Sequence, residues 1–263
     1  MINKNNKFNE LFKIKGKEHF NNIFLVNKKK FHYGWGSYLF NGKNYVYDKS
    51  MYKKQKLLFD LSKKNKKILE IGVYMGHSIL IMLLANPKIN ITAIDVSDTY
   101  SRPSVNYLKK KFPEAKINLI IGDSREIIMN LKERFDLIHL DSSHSLKESL
   151  EEFNLIINLK KGNLLKILFD DIKSIIPLKN NILKSFNIQK MISSNCKDEN
   201  FYLEFKIDNN KFQKEILLYK FLNLKIFFFY FPLKYLLRLF KLSKIQKKID
   251  NYFYKENILT CNK

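Results

Sequence analysis

The chain has 263 residues, 45% of them hydrophobic, which is enough for one large domain with a full core or one domain with extensions. Lys and Arg total 48 against 25 acids, a net charge of +23, so either an anionic partner or a generally solvated lysine surface is expected, and only four cations are arginines, the residue suited to forked phosphate recognition. The two cysteines, Cys196 and Cys261, exclude a disulfide framework and a cysteine metal cluster, and fit a reducing cytoplasmic compartment.

Residues 1–27 are charged throughout and lack the apolar core of a signal peptide. Polar and aromatic residues continue to about 48, with Gly34, Gly36 and Gly42 close together, so 1–48 reads as an irregular N-terminal extension. A helix is predicted from about Lys49 to Lys63, burying Met51, Leu57, Leu58 and Leu61. From Lys67 short apolar runs alternate with amphipathic stretches. Strands are predicted at 67–71, 91–95, 117–121, 135–140 and 164–169, with helices at 78–84, 105–112, 124–132 and 146–159 between them. Five such β/α units imply an α/β, doubly wound, Rossmann-like parallel sheet with helices on both faces. A further helix is expected near 176–188. Then Phe201–Ile207 and Phe212–Tyr219 read as an antiparallel hairpin joined by Asp208-Asn209-Asn210, closing the sheet. The main domain is therefore placed at 49–220, and 221–263 is a basic, aromatic C-terminal extension. Its longest apolar run, Ile226 to Leu233, is shorter than the about 20 residues that span a bilayer. After Pro232 a helix to about Ile249 is predicted, with Leu233, Leu236, Leu237 and Phe240 at helical spacing and Lys or Arg between them.

In an open parallel sheet, ligands sit beyond the carboxyl ends of the strands where strand order reverses. The first strand ends in Glu70-Ile71-Gly72-Val73-Tyr74-Met75-Gly76-His77-Ser78 and runs straight into a helix. Gly72 and Gly76 let the turn pass close to a ligand, and the helix N-terminus suits a carboxylate. The spacing Gly-x-x-x-Gly is not that of dinucleotide phosphate binders, and no P-loop Lys-Ser/Thr follows. Acids stand at all five strand ends: Glu70, Asp95, Asp123 (followed by Ser124), Asp141, and Asp170-Asp171. Each alone can be a local feature, Asp123 or Ser124 as a helix cap for example; together they point to a ligand.

Glu70 to Ser78 resembles the first motif of class I S-adenosylmethionine-dependent methyltransferases, and is similar to that of catechol O-methyltransferase and its relatives. Phe135 to Leu146, and Leu168-Phe169-Asp170-Asp171 after the next helix, resemble methyltransferase family 24 and the sugar or macrolide O-methyltransferases. The likeness covers about 49–220. It implies that Glu70 helps hold the methionine amine, that Gly72, Tyr74, Gly76 and Ser78 face the methionine end with Ser78 on the carboxylate, that Asp95 takes the ribose, that Asp123 and Ser124 lie at the adenine, and that Asp141 also borders the cofactor. Ser142 stands where those families usually have Gly, and Lys161-Gly162-Asn163 where they have Pro-Gly-Gly.

Methyl transfer to oxygen needs the acceptor hydroxyl to lose its proton, helped by a general base or a divalent cation. Asp141, Asp170 and Asp171 are three hard oxygen donors that suit Mg²⁺, or else cap the next helix or meet nearby lysines. His144, three residues past Asp141, occupies the place of a basic catalytic residue in the resembling families, or caps the following helix; Asp141 and His144 are the catalytic candidates. His139, inside a strand, reads as a packed or hydrogen-bonded core residue, and His77 is assigned no role. Tyr33, Trp35, Tyr38 and Tyr45 are placed around the acceptor pocket without individual roles.

The expected activity is O-methylation of a small molecule or of a sugar or glycan hydroxyl, with S-adenosylmethionine and a divalent cation. The C-terminal helix either meets an anionic membrane surface, making the protein peripheral, or packs on the domain or a second subunit in a homo-oligomer. A membrane- or polyanion-binding protein on an inactive methyltransferase fold is the alternative. A nucleic-acid methyltransferase ranks lower, because Asp141-Ser142-Ser143-His144 replaces the Asn/Asp-Pro-Pro-aromatic motif and neither cysteine follows a proline.

Overall fold

The computed structural model describes residues 6–28, 38–47, 51–141, 145–160, 162–170, 175–194, 200–206 and 212–240, together with 242, 244–246 and 248–249. Seven strands form one sheet: β1 (Lys67–Ile71), β2 (Asn90–Asp95), β3 (Lys116–Ile121), β4 (Leu137–Leu140), β5 (Leu164–Phe169), β6 (Asn187–Ser193) and β7 (Phe201–Lys206). Their order is β3-β2-β1-β4-β5-β7-β6. The first five are parallel, and β7 runs antiparallel to both β5 and β6. The order therefore reverses between β1 and β4, which puts the ligand crevice beyond their carboxyl ends.

Strand alternation sends side chains to two cores. Leu69, Ile71, Ile138 and Leu140 face α7 (Leu146–Ile156) and α8 (Ile176–Ser185), through Phe153 and Leu178. Ile68, Ile91 and Leu137 face α3 (Tyr52–Lys64), α4 (His77–Ala85) and α5 (Asp98–Lys111), through Leu58, Ile79 and Val105. In α4, residues His77 through Leu84 are all buried, as expected of a helix that is apolar all round. The N-terminal α1 (Asn6–Leu11) and α2 (Lys17–Val26) are helical where irregular structure was expected; Phe8, Phe12 and Ile23 join the α3 face of the core.

The sheet closes on a different pair of strands from the one expected. The closing pair is β6 with β7, whereas Phe212–Tyr219 belongs to α9 (Phe212–Lys225). The helix near 176–188 stops at Ser185. The reason shows in the longer periodicity: Ile216, Tyr219, Asn223, Ile226 and Tyr230 recur at three and four residues, a helical stripe that is buried or half-buried. A π-helical turn, Ile226–Tyr230, carries α9 directly into α10 (Phe231–Leu239). The span Lys214–Leu239, 26 residues, is long and apolar enough to cross a membrane by length and composition alone. Counting only the uninterrupted run Ile226 to Leu233 missed this, because lysines interrupt the run without ending the helix. After β3, α6 (Ser124–Asn130) packs on the α7 side, with Ile128 in that core.

Candidate active site

The turn after β1 is held in an unusual backbone shape. Gly72 and Gly76 lie at φ +91° and +71°, and Tyr74 also takes a positive φ, +46°. A non-glycine residue costs free energy there, so something must hold it. Asp95 does: its Oδ2 accepts from the amides of Val73 at 2.9 Å and Tyr74 at 2.7 Å, and its Oδ1 from that of Ser97 at 2.9 Å. The β2 carboxylate thus clamps the β1 loop: Oδ2 is filled by two amides, and only Oδ1 retains a lone pair. Gly76 starts α4, and its own amide is satisfied by the Val73 carbonyl at 2.8 Å.

Register accounts for the next contacts. Glu70 pairs with His139 across β1 and β4, and both point to the α3 side. Glu70 is fully buried; Ser78 donates to its Oε1, and its Oε2 lies 2.7 Å from His139 Nδ1. His139 Nε2 lies 2.8 Å from the Tyr38 hydroxyl, to which Asn200 Nδ2 donates at 3.2 Å. The histidine is a hydrogen-bonded core residue, as expected. Glu70 and Ser78, expected on the methionine amine and carboxylate, hold each other here. Burial, and after it the nearby Asp170 and Asp141, push the Tyr38 phenol well above its usual range, so it stays protonated.

Asp141 and Asp170, just past β4 and β5, come together on the same side. Burial, then the neighbouring Asp170, push the Asp141 carboxyl well above its usual range. The Lys54 ammonium, from α3, reaches Asp170 Oδ2 at 2.6 Å with both side chains 3% exposed, and sits 4.5 Å over the Tyr38 ring. Asp170 Oδ1 is buried without a hydrogen-bond partner. Sequence reasoning missed Lys54, although its register gave a signal: Met51, Lys54, Gln55, Leu58 and Leu61 form one buried stripe, with a lysine on it. Gln55 donates to the carbonyls of Tyr38 at 2.5 Å and Val46 at 2.7 Å, and so docks the N-terminal segment at the site.

The described residues alone make no complete divalent-cation site. Among the described residues no group of three His, Cys, Asp or Glu side chains could hold a metal. Of the two carboxylates that converge, one already bears an ammonium, whose charge would oppose a second cation in the same space. Asp171 and His144, the other expected ligand and the expected base, lie outside the described residues.

The adenine-side candidates are engaged by neighbouring side chains. Asp123 caps α6 through the Arg125 amide at 2.8 Å and pairs with the Arg125 guanidinium, whose hydrogen bonds hold its carboxyl down to about 2. Ser124 Oγ donates to Glu152 at 2.5 Å. Asp123 is thus the helix cap that the sequence also allowed, while Ser124 ties α6 to α7. His77 is buried with both ring nitrogens unpartnered, and burial lowers its pKa to about 3.

A family model described as O-methyltransferase matches residues 47–175, the span from the docked N-terminal segment to the start of α8. A provisionally named caffeoyl-CoA O-methyltransferase of Arabidopsis thaliana is 33% identical over 110 residues, 40% of this chain and 46% of that protein. The chain thus spans less than half the length of that relative. Among solved structures, an O-methyltransferase from Bacillus cereus in complex with SAH is 16% identical with a TM-score of 0.52, covering 72% of this chain and 90% of that one. A provisionally named caffeoyl-CoA O-methyltransferase from Staphylococcus aureus is 17% identical with a TM-score of 0.53, covering 75% and 96%. At those identities the structural likeness establishes the Rossmann-like methyltransferase fold.

Proposed function

We propose that this chain, whose residues 47–175 match an O-methyltransferase family model, transfers a methyl group from S-adenosylmethionine to a hydroxyl of a small molecule. The observation that carries the reading is the convergence of acids from four strand ends, Glu70, Asp95, Asp141 and Asp170, around one glycine turn at the reversal of strand order. The residues fit the donor. The start of α4, just past the Gly72–Gly76 turn, offers backbone amides to a carboxylate, and the remaining lone pair of Asp95 Oδ1 can accept from a ribose hydroxyl.

The sulfonium, when bound, would supply an electrophilic methyl carbon to the acceptor oxygen, leaving a methyl ether and the thioether. The chain's residues manage the acceptor proton. Asp141, with a carboxyl of raised affinity for protons, is placed to take it. Lys54, anchored on Asp170, supplies fixed positive charge where negative charge develops on the acceptor oxygen. Tyr38, protonated and held by His139 and Asn200, closes the site on the side of the N-terminal segment. Metal assistance, expected from the sequence, is left out of this scheme because of Lys54.

The test is calorimetric and catalytic. The chain is expected to bind S-adenosylmethionine without added metal, and to methylate members of a panel of catechols, caffeoyl thioesters and free sugars in the presence of EDTA. Lack of donor binding at any metal concentration would overturn the assignment. Turnover that requires Mg²⁺ would keep the transferase and remove the role given to Lys54.

A further inference from the structure

The segment Lys214–Leu239 is one continuous helical run, most of whose residues are exposed or half-exposed. One side is built into the domain: Tyr219 packs on Phe153 and Phe186, and Asn223, Ile226 and Tyr230 follow it at helical spacing. The other side carries Leu217, Phe221, Leu224 and Phe228 at the same three- and four-residue spacing, with Tyr235 and Leu239 on the same face about two turns further on. Leu217 and Phe228 are each 69% exposed. Isolated apolar side chains in water are ordinary, but a stripe of this length marks an interaction surface.

Charge selects the occupant. Between 212 and 249 the sequence has nine lysines and arginines and a single acid, Glu215. A second copy of the chain, itself at +23, would set like charge against like charge along the whole stripe. A bilayer-spanning helix is excluded by the Tyr219–Tyr230 side, which is covered by the domain. We propose that this face is an anionic membrane-docking surface: the apolar stripe enters the headgroup–acyl boundary parallel to the bilayer plane, and the flanking lysines meet acidic headgroups. The proposal stands apart from the methyl-transfer reading, since none of these residues touches the strand-end acids.

The experiment is co-flotation of the full chain with phosphatidylcholine vesicles, with and without phosphatidylglycerol. Strong flotation is expected only with the anionic vesicles, weakening as salt rises. The double variant Phe221→Asp/Phe228→Asp is expected to lose at least about tenfold in partitioning, since each Phe buries a large apolar area. Its circular dichroism and S-adenosylmethionine binding serve as controls for an intact fold. Three results would overturn the proposal: no flotation of the wild type at low salt, flotation unchanged in the double variant, or a wild-type dimer in sedimentation that the same substitutions dissolve.

Discussion

Replacing Lys54 by Met removes the only cation in contact with Asp170 among the described residues and keeps most of the side-chain volume. Both partners are 3% exposed, so solvent cannot take over the ammonium's role. Breaking a buried pair from one side costs about 3–5 kcal/mol, a large part of a domain's total, and for a chain of this size about 10 °C in Tm. The pH dependence has a definite sign. The Asp141 carboxyl is already raised above its ordinary 3.8 by burial and by Asp170, with Lys54 pulling it back. A raised carboxyl stabilises the fold fully below its unfolded value and loses that contribution as pH rises through its folded value. Removing Lys54 raises it further, so the deficit of the variant is expected to be greatest at neutral pH and to shrink as pH falls toward 4. Thermal melts followed by circular dichroism at several pH values measure this. The double variant Lys54→Met/Asp170→Leu, which removes both charges, is expected to recover part of the loss. A Lys54→Met protein melting within about a degree of the wild type at pH 7, or a saturable rise of the wild-type Tm with Mg²⁺, would refute the reasoning.

Asp95→Ala deprives the Val73 and Tyr74 amides of their acceptor, and is expected to cost about 1–3 kcal/mol in stability and at least tenfold in S-adenosylmethionine affinity, read by melting and calorimetry. Gly76→Ala places a Cβ at ordinary contact distance, 3.4 Å from Ser104 Cβ, so its effect is the backbone cost at φ +71°, about 1 kcal/mol. His77→Leu removes a ring that stays neutral down to about pH 3 in the fold but charges near 6.5 when unfolded. The wild type therefore loses stability as pH falls below 6.5, and the variant is expected to show a flatter acid limb in urea titrations.

The parallel half of the sheet was legible because buried parallel strands read as unbroken apolar runs ending in acids, as Ile68–Ile71 and Ile91–Asp95 do. β6 was hidden because Asn187–Ser193 is an edge strand, largely exposed and polar, with an irregular register between Ile188 and Lys190. Phe212–Tyr219 resembled a strand over eight residues and became a helix only over the longer stripe ending at Tyr230. At the site, the acids and the glycine turn could be read because their chemistry is distinctive. Lys54 could not be picked out by type in a chain with 48 basic residues; only its place on a buried stripe sets it apart. Asp123 and Arg125 are two residues apart, and local pairing of that kind competes with any ligand for the same carboxylate.

The line from Glu70 through His139 and Tyr38 to Asn200 joins pieces of chain up to 162 positions apart. Each member satisfies its neighbour in a place closed to solvent, so exchanging one alone leaves the next deserted. An apolar side chain at 139 is compatible with this architecture only if the acid at 70 and the hydroxyl at 38 vanish in the same step. Chains that drift away from this one are thus expected to inherit the whole polar relay or to lose it as a block.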